Sequence, residues 1–131
     1  MKTFKIIVGI FILLFTSCEQ DINPNEILNK ENDFKLTIHF GDKYSSDSSK
    51  VKTIIKGSEK FIKLKDWITN NPVDWKSSID SWAAPDISLI GNDFRFLIFK
   101  NFVVIGFKDK TGKPRQYIKS VDKSTFDFLI E

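Results

Sequence analysis

The sequence predicts a small single α+β domain, with an antiparallel β-sheet of about five to six strands packed against two or three short helices. Apolar and polar residues alternate over residues 34–40, as they do in a half-buried strand. Segments rich in aromatic and β-branched residues follow one another over residues 87–119, with turn residues between them. Apolar residues at helical spacing occupy residues 64–82 and 122–130.

The strand predicted over residues 34–40 places Phe34, Leu36, Ile38 and Phe40 on one face. A loop rich in Ser and Asp follows over residues 41–50. Residues 51–56 and 60–63 flank Gly57-Ser58-Glu59, and their β-branched content favours the two arms of a hairpin.

Two helices are predicted in the middle of the chain. The first covers residues 64–71, because Leu64, Trp67 and Ile68 share one helical face and Pro72 ends it. The second begins with Asp74 as its N-cap and runs to Pro85. Its apolar residues Trp75, Ile79 and Trp82 recur at i, i+4 and i+7.

The C-terminal third predicts an antiparallel meander and a final helix. Strands over residues 93–99 and 102–108 are joined at Lys100-Asn101, and the turn Asp109-Lys110-Thr111-Gly112 leads into a strand over residues 115–120. Asp122 is the predicted N-cap of a helix over residues 123–130.

The N-terminus has the layout of a signal peptide. Lys2 and Lys5 precede an apolar run over residues 6–15, which ends in small residues before Cys18, the single cysteine of the chain. The sequence Phe15-Thr16-Ser17-Cys18 resembles a bacterial lipobox. The resemblance implies cleavage before Cys18 and acylation of that residue, which would anchor the protein to a membrane. The alternatives are an uncleaved membrane anchor, for which the apolar run is too short, and ordinary cleavage with release, which would leave a lone thiol.

The domain organisation follows from this N-terminus. We assign residues 1–17 to a lipoprotein signal peptide, residues 18–33 to the lipidated cysteine and a flexible tether, and residues 34–131 to the single domain. Glu19 and Asp21 resemble the sorting signals of some Gram-negative lipoproteins, which favours the outer over the inner membrane of the cell envelope. Removal of Lys2 and Lys5 from the 20 basic residues leaves 18 against 17 acidic ones, so the mature charge of +1 does not favour nucleic acid as a partner.

No catalytic motif is evident, and neither a metal site nor a cofactor is predicted. His39 is the single histidine, and no nucleophile or metal ligand stands at a recognisable spacing from it. Asp80, Asp86 and Asp93 offer carboxylates for a glycosidase-like pair, but aspartates at such intervals are common in soluble domains. The loop over residues 42–49 has oxygen ligands without the pattern of an EF-hand.

The remaining candidates are aromatic. Trp67, Trp75 and Trp82 are possible partner-binding residues, because tryptophan is enriched at interfaces. The prediction is therefore a lipid-anchored envelope protein that acts as a non-catalytic binding module for a protein partner, for example as an immunity-type or assembly-accessory lipoprotein. The alternative is a small envelope hydrolase, or a lipoprotein that binds a glycan or small ligand.

Overall fold

The computed structural model describes residues 19–20, 23, 27–40 and 49–131. These residues form one antiparallel sheet of eight strands in the order β1-β4-β8-β7-β6-β5-β2-β3. The strands are β1 (Glu19–Gln20), β2 (Phe34–His39), β3 (Ser49–Ile54), β4 (Trp75–Ser77), β5 (Ile87–Ile90), β6 (Phe94–Ile98), β7 (Phe102–Lys108) and β8 (Pro114–Ser120). The predicted combination of an antiparallel sheet with short helices is confirmed. The sheet has more strands than predicted, so the domain is mostly β.

The predicted meander is present. Strands β5 to β8 follow one another in the chain and pair in that order. The β7–β8 turn forms at the predicted residues, where Gly112 adopts a φ of 80° and its N–H donates to the Asp109 carbonyl at 2.9 Å. Glycine suits this position because a positive φ carries no steric penalty for it.

One face of the sheet, the inner face, carries the hydrophobic core. It is covered by helix α1 (Glu59–Asn70) and by a 3₁₀ helix (Lys123–Leu129). Ring contacts join these layers: Phe61 stacks on Phe34 with centroids 5.2 Å apart, and Phe126 meets Phe96 edge to face at 5.4 Å. The predicted cap of the final helix is confirmed, since the Asp122 side chain accepts a hydrogen bond from the Ser124 N–H.

Helix α1 begins earlier than predicted, and the hairpin arm predicted at residues 60–63 is wrong. Ser58 is the N-cap, and its hydroxyl accepts from the Phe61 N–H at 3.4 Å. Phe61 adds a further turn to the apolar stripe that continues through Leu64 and Ile68, and all three are buried. Burial of this stripe outweighs the weak strand preference of the β-branched and aromatic residues in the segment.

The prediction of a second helix that begins at Asp74 is also wrong. Asp74 has a φ of 65°, which is incompatible with the extended conformation of an N-cap residue. The chain continues instead as the short strand β4, with Trp75 fully buried on the inner face. Ile79, which the predicted helix would have buried, is 98% exposed.

Part of the segment predicted to be a flexible tether is packed against the domain. Ile27 and Leu28 belong to the hydrophobic core, and Glu31 is only 2% exposed. The two carboxylate oxygens of Glu31 accept hydrogen bonds from the backbone N–H groups of Asn92 and Asp93, at 2.7 and 2.9 Å. The folded domain therefore includes residues 27–33.

Candidate binding surface

The outer face of the sheet, which points away from α1, is where side chains of all the longer strands meet solvent. Register places its residues in rows that cross the sheet. The central row runs through Val51, Thr37, Ser88, Leu97, Val104 and Ile118. A neighbouring row runs through Thr53, Lys35, Ile90, Arg95, Gly106 and Gln116.

One half of the outer face is covered by the segment that follows β4. Trp82 packs on Phe99 and Phe102, with ring centroids 6.1 and 5.2 Å apart. The Gln116 side-chain amide donates to the Asp80 carbonyl at 2.9 Å, which holds the segment over β8. Residues 78–82 therefore cover this side of the sheet.

Arg95 lies flat across the middle of the same face. A Cβ atom on Gly106 would lie 2.8 Å from the Arg95 Nε, so glycine at this position makes room for the guanidinium group. The Arg95 Nη2 donates to the Gln116 Oε1, which links β6 to β8. Arg95 thus stands at the boundary between the covered half and the remainder.

The other half of the outer face is not covered by any of the described residues. We call it the open platform and define it by five residues of β3, β2, β5 and β6: Val51, Thr37, Ser88, Ile90 and Leu97. Val51 is 56% exposed and Ile90 is 42% exposed, whereas the other three are half-buried. Short and β-branched side chains predominate on the platform, so a contact there would remove little side-chain conformational entropy.

Lysines surround the free edge of the platform. Lys35 projects from the outer face of β2, and Lys50 and Lys52 project from the opposite face of the edge strand β3. None of these three amines forms an ion pair in the part of the chain that the structure describes. The nearby charge of Lys50, together with partial burial and the charge of Lys60, lowers the pKa of Lys52 below its ordinary value.

The three predicted tryptophans do not form one surface. Trp75 is fully buried, and its Nε1–H donates to the Asn71 carbonyl at 2.8 Å. Trp67 lies in the same inner layer, with its ring centroid 6.1 Å from that of Trp75 and 4.8 Å from that of Phe126. Trp82 lies on the outer face, half-buried. Of the three, Trp82 is the one beside the outer surface.

The carboxylates proposed as acid and base are separated. Asp86 immediately precedes β5 and lies beside His39, whose backbone N–H donates to the Asp86 carbonyl at 2.9 Å. Asp93 lies beyond the opposite end of β5, in the β5–β6 turn, where its carboxylate is 3.2 Å from the Lys108 amine. Asp80 lies in the segment that crosses the outer face.

A groove of about 300 Å³ lies next to the β5–β6 turn and is lined by Arg95, Lys108 and Arg115 among others. Two of these cations already have partners: Lys108 pairs with Asp93, and the Arg115 Nε lies 2.9 Å from the Asp109 Oδ2. The Thr111 hydroxyl and Arg115 hold the pKa of Asp109 well below its usual range, because both donate hydrogen bonds to its carboxylate. Asp109 is therefore charged and stabilises the β7–β8 turn. The groove is therefore largely charge-compensated.

Several predicted features lie outside the described residues, namely Cys18, the signal peptide and residues 42–48 of the predicted oxygen-rich loop. Within residues 27–40 and 49–131, no three His, Cys, Asp or Glu side chains are placed to hold a metal ion together. Among the described residues, no helix has the length and apolar character needed to cross a membrane.

The chain matches no protein family model, no curated protein and no solved structure.

Proposed function

We propose that this protein is a lipid-anchored protein of the bacterial cell envelope, whose domain is a non-catalytic binding module. The observation that carries the proposal is the open platform, a sheet face that no segment among the described residues covers. The lipid anchor at Cys18 is supported by the lipobox-like sequence before it. An immunity-type or assembly-accessory role is consistent with such a surface.

The shape and charge of the platform favour a protein partner. Small ligands bind in concave pockets that enclose most of their surface, whereas the platform extends over four adjacent strands. Four strands at about 4.8 Å spacing give a width of roughly 15–20 Å, which is the scale of a protein contact. Lys35 projects from the same face as the platform and complements an acidic surface on that partner, whereas Lys50 and Lys52 project from the opposite face of β3.

The same lysines argue against a second copy of this chain as the partner. Edge-to-edge pairing of two β3 strands would bring Lys50 and Lys52 of both copies together, and like charges at an interface are repulsive. Lys52 already experiences this repulsion from Lys50 within one chain. These charges disfavour a second copy at the β3 edge, and the partner we propose is a different protein with an acidic face.

The test is an isoleucine-to-glutamate substitution on the platform. Ile90→Glu places a bulky negative charge on the platform, and we expect recovery of the partner to fall at least about tenfold, which corresponds to a loss of about 1.4 kcal/mol. The measurement is recovery of a cross-linked protein by the tagged, full-length chain from solubilised envelopes. Because Ile90 is 42% exposed, the substitution leaves the core intact.

Ile130→Glu is the matched control. Ile130 is also 42% exposed, but it lies at the end of the C-terminal 3₁₀ helix on the other side of the sheet. It should leave recovery of the partner unchanged. The proposal would be contradicted if no protein were enriched by the unmodified chain, or if both glutamate variants recovered the same protein equally well.

A small envelope hydrolase, or a glycan- or small-ligand-binding lipoprotein, is the second candidate. The observation in its favour is the adjacency of His39 and Asp86, with the His39 Nδ1 buried and lacking a hydrogen-bond partner among the residues that the structure describes. A hydrolytic site would need a nucleophile or an activated water beside this pair. The open platform does not depend on either residue, so the two candidates are separable.

A further inference from the structure

Strand β3 forms the long edge of the sheet. It stands last in the strand order, next to β2, and no other described strand lies on its far side. Its six residues include no proline and pair with β2 along their whole length, whereas β1 at the other end of the sheet has two residues. An edge of this kind presents backbone donors and acceptors with which a further strand can pair.

The hydrogen bonds of β2 show which backbone groups of β3 point outward. In an antiparallel strand the N–H and C=O of one residue point to the same side, and successive residues alternate between the two sides. The His39 N–H donates towards β5, so the backbone of Ile38 points to β3, where its partner is Lys50. The backbone groups of Val51 and Thr53, which alternate with Lys50, therefore point away from the sheet.

These outward groups are accessible. Val51 is 56% exposed and Thr53 is exposed as well. Among the described residues, neither one forms a backbone hydrogen bond beyond the strand. Two N–H and two C=O groups are thus available to an added strand. Both side chains lie on the outer face, so a strand added here would continue the open platform.

The inner side of the same edge carries two cations. Lys50 and Lys52 lie opposite Ile38 and Leu36, whose side chains are buried in the core. The amines of both lysines lack an ion-pair partner in the described part of the chain. The charge of Lys50, ahead of the effect of burial, lowers the pKa of Lys52, which shows that the two charges are close and uncompensated. Carboxylates on an added strand would lie within reach of both.

We propose that β3 is a strand-addition site for an extended segment of the partner protein, in which acidic residues on the inner side alternate with apolar or β-branched residues on the outer side. This inference rests on the proposed function and deepens it, because Val51 belongs to the open platform. Backbone hydrogen bonds to Val51 and Thr53 hold the segment, and its carboxylates pair with Lys50 and Lys52. The segment extends the platform by one strand spacing, about 4.8 Å.

The first test uses a short, capped, fluorescein-labelled peptide of alternating glutamate and valine, and the same peptide with lysine in place of glutamate. Fluorescence anisotropy measures their binding to the full-length chain. We expect the glutamate peptide to bind at least about tenfold more tightly than the lysine peptide. Equal binding of the two peptides, or no binding of the glutamate peptide, would overturn the inference.

Charge reversal supplies the matched comparison. The double variant Lys50→Glu/Lys52→Glu should reverse the preference and bind the lysine peptide more tightly. Lys100→Glu/Lys113→Glu makes the same change in net charge at exposed positions in the turns on either side of β7. This control should still prefer the glutamate peptide. If both double variants behaved alike, the preference would reflect net charge alone and the site would be wrong.

Val51→Pro tests the backbone contacts. The proline ring replaces an N–H that points away from β2, so the pairing within the domain is kept while an added strand loses a donor. We expect the affinity for the glutamate peptide to fall at least about tenfold. Val51→Thr keeps the N–H and should bind like the unmodified chain, and circular dichroism checks that both variants are folded. Unchanged binding by folded Val51→Pro would contradict strand addition.

Recovery of the partner from envelopes separates this inference from the proposed function. If Ile90→Glu lowers the recovery and Val51→Pro does not, strand addition is wrong and the open platform stands as the binding surface. If the unmodified chain recovers no partner, the proposed function and the strand-addition site both fail.

Discussion

Trp75→Ala is expected to lower the free energy of unfolding by about 3–5 kcal/mol, the usual cost of deleting a large buried aromatic side chain. Trp75 is fully buried, and Trp67 packs edge to face against it. Its indole N–H also satisfies the Asn71 carbonyl at the end of α1. The substitution would thus leave a cavity and an unpaired acceptor together. Urea unfolding followed by circular dichroism measures the effect.

Two further variants separate these contributions. Trp75→Phe keeps most of the buried area and removes the indole donor, so it should cost about 1–2 kcal/mol. Trp82→Ala removes a half-buried ring from the outer face, and we expect a smaller loss than for Trp75→Ala because no enclosed cavity forms. If Trp82→Ala were as destabilising as Trp75→Ala, the assignment of the two rings to surface and core would be wrong.

Glu31→Ala is expected to destabilise the domain by about 2–3 kcal/mol, because hydrogen bonds to a charged group are among the stronger ones. The carboxylate binds the two backbone N–H groups of the β5–β6 turn from a position more than 60 residues earlier in the chain. Removing it leaves both donors without a protein acceptor. Thermal and urea unfolding of the purified mature domain measure this loss.

Glu31→Gln is the graded control. The amide retains one oxygen acceptor and presents an NH₂ group to the second donor, so one of the two hydrogen bonds is lost. We expect a cost between those of the unmodified chain and Glu31→Ala. A Glu31→Ala protein as stable as the unmodified chain would show that residues 27–33 behave as the tether that the sequence predicted.

The strands of the meander could be predicted because their signals are local. Alternation places Phe94, Phe96 and Ile98 on one face, and Asp109 with Gly112 supplies the turn that follows β7. The final helix could likewise be predicted, because Asp122 is its N-cap residue. In each case the residues that decide the conformation lie within a few positions of it.

The errors arose where distant contacts decide the conformation. Trp75, Ile79 and Trp82 have helical spacing, yet Trp75 is buried on the inner face, Ile79 is exposed and Trp82 packs on the outer face. Ile27 and Leu28 show no period because they are two adjacent residues that fill the core. The partners of Glu31 are backbone groups, which leave no pattern in the sequence.

The open platform had no local signal either. Val51, Thr37, Ser88 and Leu97 come from four strands, and register alone brings them side by side. The order β5-β2-β3 also depends on β2 joining the meander beside β5, which the spacing of apolar residues does not specify. The sequence predicts that strands form in these segments, but not which of their residues lie side by side on one face of the sheet.

The lipid anchor is the claim on which the location of the domain depends. If the leader is removed before Cys18, the remaining net charge of +1 provides little electrostatic attraction to a bilayer, so the acyl chains on Cys18 would supply almost all of the binding. Each acyl methylene that enters the bilayer contributes about 0.8 kcal/mol, and two or three chains make release very slow.

The most direct measurement compares the unmodified chain with Cys18→Ala in growing cells by palmitate labelling and membrane fractionation. We expect the unmodified protein to carry the palmitate label and to sediment with membranes. We expect Cys18→Ala to carry no palmitate label and to move to the soluble fraction if a signal peptidase still removes the leader. A Cys18→Ala protein that remains fully membrane-bound after removal of its leader would contradict the account.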